Sequence, residues 1–507
     1  MNFNKSIITC AVVMALGLSQ TAFAAETVKE EKAVAVIQSD LMVNALGNVI
    51  TLSQTSSEGS NIGNETTIFQ EGDVNGTGFT VIGEGNVAEI NQIGNDNLVV
   101  GTFKGNNNEL YIAQDGEINE TENNVTGDEN SVEVTQLGAG YLGIGNRAVN
   151  EIVGDGNEVV IDQGEGGHWA INSEIKGSNN TIDIVQDGEW NESYLTTIVG
   201  DDNAIEVTQD GYWSVTTISS IEGDANELSI DQEGDRNNIT IASIEGDANE
   251  LSIEQEGDRN KITIASIEGD DNEISIDQEG NNNIVESSIY TGMSNSVDVM
   301  QNGDGNSASF DAIGDDNDFN FTQVGDSNIS YIATIGMNNE YSSVQVGDLN
   351  ESHVMNFNGD DNDIDVMQSG SENVVVVQAS AENKELLTSE NDIDISQTGF
   401  ANDAVVMLST IIDSNANTID IDQTGELNSL DILVEGSNHQ IGIEQIGDEN
   451  LITGEGGATM LIGGNNIEFN ISQIGNGNIV EGSFISDSGV ISITQLGDWN
   501  TAVIVQQ

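Results

Sequence analysis

The chain predicts an all-β fold: a parallel β-solenoid of about nineteen strand-turn-strand rungs of 22–23 residues. Three observations carry that prediction. Gln209, Gln232, Gln255, Gln278 and Gln301 are each separated by 23 residues, and from Gln70 to Gln495 such positions recur, most of them 22 or 23 residues apart. Between them, apolar and polar residues alternate with the period of a strand. Proline is absent, and glycines recur three residues before an asparagine, so every backbone donor can pair and the chain can turn sharply. Units of this kind pack only on their neighbours, which overrides the expectation of several ordinary domains in 507 residues.

Taken in order, residues 1–24 read as a secretory signal: Lys5, an apolar run from Ile7 to Leu18, and the small-residue site Ala22-Phe23-Ala24 that would leave Ala25 first. The only cysteine, Cys10, lies inside that signal, so the mature chain is expected to have neither disulfides nor thiol chemistry. Residues 25–47 form a separate N-terminal segment, and residues 48–507 the repeat region, opening on a degenerate rung at Asn48 to Gln54.

Within one unit, Asn226, Leu228, Ile230 and Gln232 point one way and Glu227, Ser229 and Asp231 the other, which is a half-buried strand. After the turn Glu233-Gly234-Asp235-Arg236, the second strand places Asn237, Ile239, Ile241 and Ser243 inward, and Asn238, Thr240 and Ala242 outward. Stacked in register, identical positions become columns. Inward asparagine and glutamine amides are costly unless each bonds its equivalents one rung above and below.

The expected ladder stands at Asn86, Gln92, Gly94 and Asn97, and again at Asn108, Gln114, Gly116 and Asn119. It continues at Asn226, Gln232, Gly234 and Asn237, at Asn249, Gln255, Gly257 and Asn260, and at Asn272, Gln278, Gly280 and Asn283. A further copy is Asn317, Gln323, Gly325 and Asn328. Phase breaks around 138–147, 164–170, 370–396, 401–417 and 454–465 read as bulged loops or local interruptions. The strand Thr501–Val505 follows with no polar cap or proline, an arrangement that favours end-to-end polymerisation.

A formal charge of −77, from 87 acidic and 10 basic residues, argues against nucleic acid as a partner, because phosphate binding needs a basic face. Regular Ile, Val and Leu placement argues against disorder. No apolar run beyond the signal approaches the roughly 20 residues of a membrane-spanning helix, so no transmembrane segment is expected. Aligned carboxylates about 5 Å apart repel by roughly 0.8 kcal/mol in water, so assembly should be promoted by salt, divalent ions or acid. Their plain reading is a solvated, aggregation-resistant face. Specific calcium sites at the corners 223–226, 246–249 and 314–317 are the sharper one, but no metal residue is assigned, and no cofactor beyond divalent counter-ions is expected.

Written as Asn, five residues, Gln, one residue, Gly, two residues, Asn, the frame resembles the curlin repeat of curli subunits, the secreted amyloid fibre proteins of Gram-negative bacteria. Asn86 to Asn97, Asn108 to Asn119 and Asn317 to Asn328 carry that likeness. The resemblance implies export through a dedicated outer-membrane secretion channel, self-assembly with related subunits, adhesion to surfaces or other cells, and a biofilm matrix role. It also implies an export-targeting role for residues 25–47. This chain departs in its repeat number and in replacing the family's second glutamine with Val81, Phe103, Ser243 or Ser266.

Against an enzyme, acids occur in every repeat and His168, His353 and His439 lie far apart, with His439 at an asparagine ladder position, so no converging catalytic set is expected. Trp169, Trp190, Trp213 and Trp499 lie near turns, where they cover a corner or bind sugars. An ice-binding surface is weakly supported, because the Thr240 and Thr263 column is not sustained. The competing function is a monomeric acidic solenoid adhesin or a calcium-binding repeat protein that does not polymerise.

Overall fold

The computed structural model describes residues 34–39, 47–56 and 63–505, save the short segments 140–144, 201–202, 224–225, 244, 247–248, 270–271, 292–295, 312–317, 334–339, 356, 358–360, 380–385 and 387. The expected signal at 1–24 and ladder residue Asn317 therefore lie outside the described residues. The chain divides into two compact units, Met1–Ala248 and Asn249–Gln507. Each is a parallel β-solenoid in which every rung gives one strand to each of two sheets. Among the described residues no helix is long and apolar enough to cross a membrane.

In the first unit the glutamine-bearing sheet includes Glu65–Glu71, Val87–Asn95, Glu109–Glu117 and Ser131–Ala139, each parallel to the next with Gln70, Gln92, Gln114 and Gln136 opposite one another. The opposite sheet stacks Gly76–Ile82, Leu98–Lys104 and Glu120–Thr126 in the same way. Alternation then decides the core. Ile68, Ile90 and Ile112 from one sheet meet Phe79, Phe103 and Val125 from the other, all 0–2% exposed. In the second unit the core takes larger rings, with Phe319 stacked on Tyr341 at 5.9 Å and Phe310 on Phe321 at the same spacing.

Two placements differ from the sequence reading. Asn48 to Gln54 is no first rung of the glutamine sheet: Val49–Thr55 lies in the opposite sheet, with Gln54 facing Val81. The glutamine-sheet strand before it is Val34–Ser39, with Gln38 opposite Gln70, so the stack starts inside the segment expected to precede it. The Asn-x5-Gln frame fits either half of a rung, so sequence alone cannot say which. Second, Ser243 is not an inward residue. It takes φ 79°, as Ser220 takes 75° and Thr197 takes 64°, the left-handed backbone that a β-bulge uses. In the two earlier rungs the bulge turns Ile198 and Ile221 into the core. Where Arg147–Val153 pairs with Trp169–Lys176, the register slips by one residue between Asn150/Asn172 and Ile152/Ile175, which places an extra residue inside the strand.

The interruptions leave the ladders intact. Residues 454–459 loop out of one strand, yet Leu451–Thr453 and Met460–Asn465 both pair with Ile479–Ser486. The excursion at 409–416 is anchored by the buried Glu435, whose carboxylate accepts the N–H groups of Thr410 at 3.0 Å, Ile411 at 3.0 Å and Ile412 at 2.9 Å. The corner at 164–168 delivers His168 to an asparagine position. The breaks at 138–147 and 370–396 fall partly outside the described residues.

Candidate assembly surface

Within the stack the buried glutamines are paired both along it and across it. Gln92 Nε2 donates to Gln114 Oε1 at 2.9 Å and across the core to the Gly76 carbonyl at 3.1 Å, while its own Oε1 accepts from Gln70 at 2.7 Å. The series runs without a gap through Gln136, Gln163, Gln186 and Gln209 to Gln232 at 2.8–2.9 Å. In the second unit it links Gln255 to Gln278 and Gln301 at 2.7 Å and Gln301 to Gln323 at 2.8 Å, then continues to Gln495. One amide hydrogen thus ties rung to rung, and the other ties one sheet to its partner. The matching inward position of the opposite sheet is apolar at Val81, Phe103 and Val125, and that sheet buries a short amide run of its own, in which Asn150 Nδ2 donates to Asn123 Oδ1 at 2.7 Å and Asn172 Nδ2 to Asn150 Oδ1 at 2.8 Å.

Asparagine columns fix the two corners. In one, Asn108 N–H and Nδ2 both donate to Asn86 Oδ1, at 2.9 and 3.0 Å, and Nδ2 reaches the Gly127 carbonyl at 2.8 Å. In the other, Asn119 N–H donates to Asn97 Oδ1 at 3.0 Å, and Asn97 Nδ2 holds the Gly116 carbonyl at 3.0 Å. The remaining ladder asparagines follow the same two columns. Asn249 Nδ2 donates to Asn272 Oδ1 at 2.7 Å, Asn283 N–H to Asn260 Oδ1 at 2.9 Å, Asn226 Nδ2 to the Gly246 carbonyl at 2.7 Å, Asn237 Nδ2 to the Glu233 carbonyl at 2.8 Å, and Asn328 N–H to Asn306 Oδ1 at 2.9 Å. Gly94 at φ 112° shows why these corners need glycine: a Cβ there would stand 1.9 Å from the Gly116 oxygen. Gly234, Gly257, Gly280 and Gly325 occupy the equivalent corner with positive φ.

Two members of these columns were not both legible. His439 was read as an asparagine substitute, and His168 proves to be another. Nδ1 of His168 accepts the Asn191 N–H at 3.2 Å, and Nδ1 of His439 accepts the Ile467 N–H at 3.3 Å, the task an asparagine Oδ1 performs elsewhere. A proton on Nδ1 would abolish that bond. Burial drives the His168 pKa from 6.5 down to about 4. The stability this histidine contributes is full above pH 6.5 and lost as pH falls through 4. His168→Asn is therefore expected to raise the melting temperature more at pH 4.5 than at pH 7.5, a difference that differential scanning calorimetry reads directly.

Acids fall into two structural classes. At the corners, the residue after glycine forms its own ladder: Asn106 N–H donates to Asp128 Oδ1 at 2.7 Å and Asp128 N–H to Asp155 Oδ1 at 2.7 Å. In the second unit Asp304 N–H donates to Asp326 at 2.9 Å and Asp326 N–H to Asp348 at 3.0 Å. These carboxylates bind backbone, which the sequence reading as repelling columns missed; the recurrent Gly-Asp pair was the available signal. The Asp residues of the proposed calcium corners, Asp224, Asp247 and Asp315, lie outside the described residues. Among those described, no group of three or more His, Cys, Asp or Glu side chains is placed to hold a metal ion.

Strand-face acids do align. Asp363 is opposite Asp392, and Asp365, Asp394 and Asp420 are opposite one another in consecutive rungs. Partial burial, then Asp365, Glu340, Asp392 and Asp394, push the Asp363 pKa up to about 6, and the same causes raise Asp394 and Asp422. A raised carboxylate pKa means stability that is full below pH 3.8 and lost as pH rises through 6. Thermal melts of the second unit's strand-face variant Asp363→Asn should accordingly show a flatter decline between pH 4.5 and 7.5 than the parent chain. The effect is modest, because solvent screens a group this exposed.

Among the described residues, Gly489–Leu496 pairs only with Ile467–Ile474, and Thr501–Val505 only with Ile479–Ser486. Inward residues that are closed one rung earlier, Phe469 and Ile471 at 0 and 2% exposed, become the half-buried Ile491 and Ile493. Gly497 has nothing within 4 Å of where a Cβ would stand, whereas Gly475 has the Gly497 oxygen at 2.3 Å. The edge offers unpaired strand backbone, an apolar core cross-section and the end of an amide ladder.

The family model for the curlin associated repeat matches residues 177–211, 223–257, 246–280, 292–325 and 415–447. These stretches contain the ladder residues from Asn226 to Asn272 and Asn317 to Gly325, while the same frame at Asn86 to Asn119 lies outside them. No curated protein matches the chain.

Proposed function

The chain belongs to the curlin-repeat family, and on that basis we propose that it is a structural subunit, with no catalytic activity, that self-assembles into extracellular amyloid fibres for adhesion and biofilm matrix. The proposal has it leave the cytoplasm on its signal, cross the periplasm and pass an outer-membrane secretion channel, residues 25–47 directing export. Its partners are then copies of itself, related subunits, and the surfaces or cells the fibre contacts. Cations act as counter-ions and no cofactor is needed.

The one-sided pairing of the last described rung carries this reading. Ladders that pair every inner glutamine and asparagine reach Gln495 and Asn500 beside strands with a neighbour on one side only among the described residues. A second copy that continued the stack would cover Ile491 and Ile493 and extend both ladders. Thioflavin T fluorescence and electron microscopy of residues 25–507, with and without short preformed seeds, test it. Seeded fibre growth is the expected result; persistent monomers under every condition would favour the non-polymerising adhesin.

The strand-face columns set the conditions. Lys261 to Glu286 at 2.6 Å is the kind of pairing that relieves such charge, but 10 basic residues stand against 87 acids. Light scattering should rise faster with millimolar calcium than with chelator at low salt. Identical traces would remove ions from the account while leaving the fibre reading in place.

A further inference from the structure

Trp190, Trp213 and Arg236 stand at the same corner position in consecutive rungs of the first unit, each with left-handed backbone at φ 65, 62 and 63°. That conformation strains a bulky side chain, and Trp213 recovers little by burial, since it stays 47% exposed. The same corner position is left-handed at Ile118, Leu349 and Leu427 too, so what sets these rungs apart is not strain but two indoles and a guanidinium in succession.

Their geometry forms a site. The Trp190 and Trp213 rings meet edge to face at 6.4 Å, Tyr212 stacks on Trp213 at 5.1 Å, and the Arg236 guanidinium sits 5.7 Å from the Trp213 ring centroid. With Glu192 and Val215, which lie opposite each other on the adjoining sheet, Trp190, Trp213 and Arg236 line a cavity of about 320 Å³. Glu192 Oε2 accepts the Tyr194 hydroxyl at 2.9 Å, which orients its carboxylate. The cavity thus presents aromatic rings, a fixed acceptor and a planar donor.

We propose that this cavity binds a hexopyranose unit of a neutral polysaccharide. The apolar C–H face of the sugar lies on an indole, and its hydroxyls donate to Glu192 and accept from Arg236. Other ligands fit less well. A net charge of −77 opposes polyanions, and Arg236 inside the cavity opposes quaternary ammonium groups that aromatic walls otherwise attract. An apolar peptide would bury both charges without partners. The inference does not depend on fibre formation, because all of the residues lie in one unit of one chain.

Affinity electrophoresis of the unassembled full chain through gels containing β-glucan, glycogen, galactomannan or alginate tests it. Retardation is expected from at least one of the three neutral polymers and not from alginate. The double variant Trp190→Asn with Trp213→Asn should lose that affinity by about tenfold or more, as removal of buried aromatic anchors does. Asparagine tolerates left-handed backbone, so this variant keeps the corner, and an unchanged melting temperature would verify that. Trp499→Asn, at another corner, should bind like the parent, while Glu192→Gln and Arg236→Gln should weaken binding. No retardation by any neutral polymer, or full retardation of the double variant, overturns the proposal.

Discussion

Gly347→Ala is expected to cost about 4 kcal/mol or more, the scale of severe overpacking and backbone strain combined, while Gly497→Ala costs only about 1–2 kcal/mol. Both glycines take left-handed backbone, at φ 118° and 97°. Their surroundings differ. A Cβ on residue 347 would stand 1.9 Å from the Gly370 oxygen, so two rungs must separate, and nothing lies within 4 Å of the same atom on residue 497. Amide hydrogen exchange around residues 340–351 should show the first variant opening locally, because a stack that loses one interface need not unfold as one body. The second variant separates folding from assembly. Its monomer should stay folded, yet a copy stacked on the last described rung would bring a carbonyl oxygen against the new methyl group, as Gly497 does against Gly475. Fibre elongation from seeds should therefore slow markedly in Gly497→Ala. Elongation at the parental rate would show that copies do not add to this edge in the register of the inner rungs.

Much of this architecture was legible because a repeat prints each physical requirement many times. The glutamine spacing gave the rung, and alternation around Leu228 and Ile230 gave the inward face, both of which are 1% exposed. Legibility failed where one residue changes the backbone. Ser220 and Ser243 fit the inward pattern by parity, but each takes a positive φ and is only half-buried, and after Ser220 it is Ile221 that enters the core, of which parity carries no sign. The half-rung ambiguity at Asn48 to Gln54 has a related cause, since both halves use the same frame and only pairing with Gly76–Ile82 separates them. His168 escaped notice because it stands in the phase break at 164–170, where columns cannot be counted off by spacing, although its Nδ1 accepts the same backbone N–H as His439 does in its own rung. Trp190 and Trp213 were placed near turns, but their convergence with Arg236 across rungs depends on three-dimensional register. The corner acids were counted as charge when Asp128 and Asp326 also accept backbone N–H bonds.

Gln345→Met tests whether the glutamine ladder acts through pairing or through packing. Methionine preserves length and volume, so an effect beyond a fraction of a kcal/mol must come from the amide. Gln345 Nε2 donates to Gln368 Oε1 at 2.8 Å and to the Ile329 carbonyl at 2.9 Å, and its Oε1 accepts from Gln323 at 2.9 Å and from the Ser330 hydroxyl at 3.1 Å. All four partners lose a bond in a dry interior, but Gln323 Nε2 keeps the Ser307 carbonyl at 3.1 Å and the Ser330 hydroxyl keeps Ser343 at 3.0 Å, so with the other two groups costing about 1–3 kcal/mol each the variant should lose roughly 2–6 kcal/mol. An apolar column is not itself forbidden, as Val81, Phe103 and Val125 show in the opposite sheet. The cost belongs to the boundary between amide and apolar rungs. Replacing Gln323, Gln345 and Gln368 together with methionine creates the same two boundaries as replacing Gln345 alone, so the triple variant should cost much less than three single variants added. Urea unfolding of the single and triple variants measures this directly. Strict additivity would mean that each glutamine acts by itself, and the ladder would then be a by-product of the repeat rather than what holds its register.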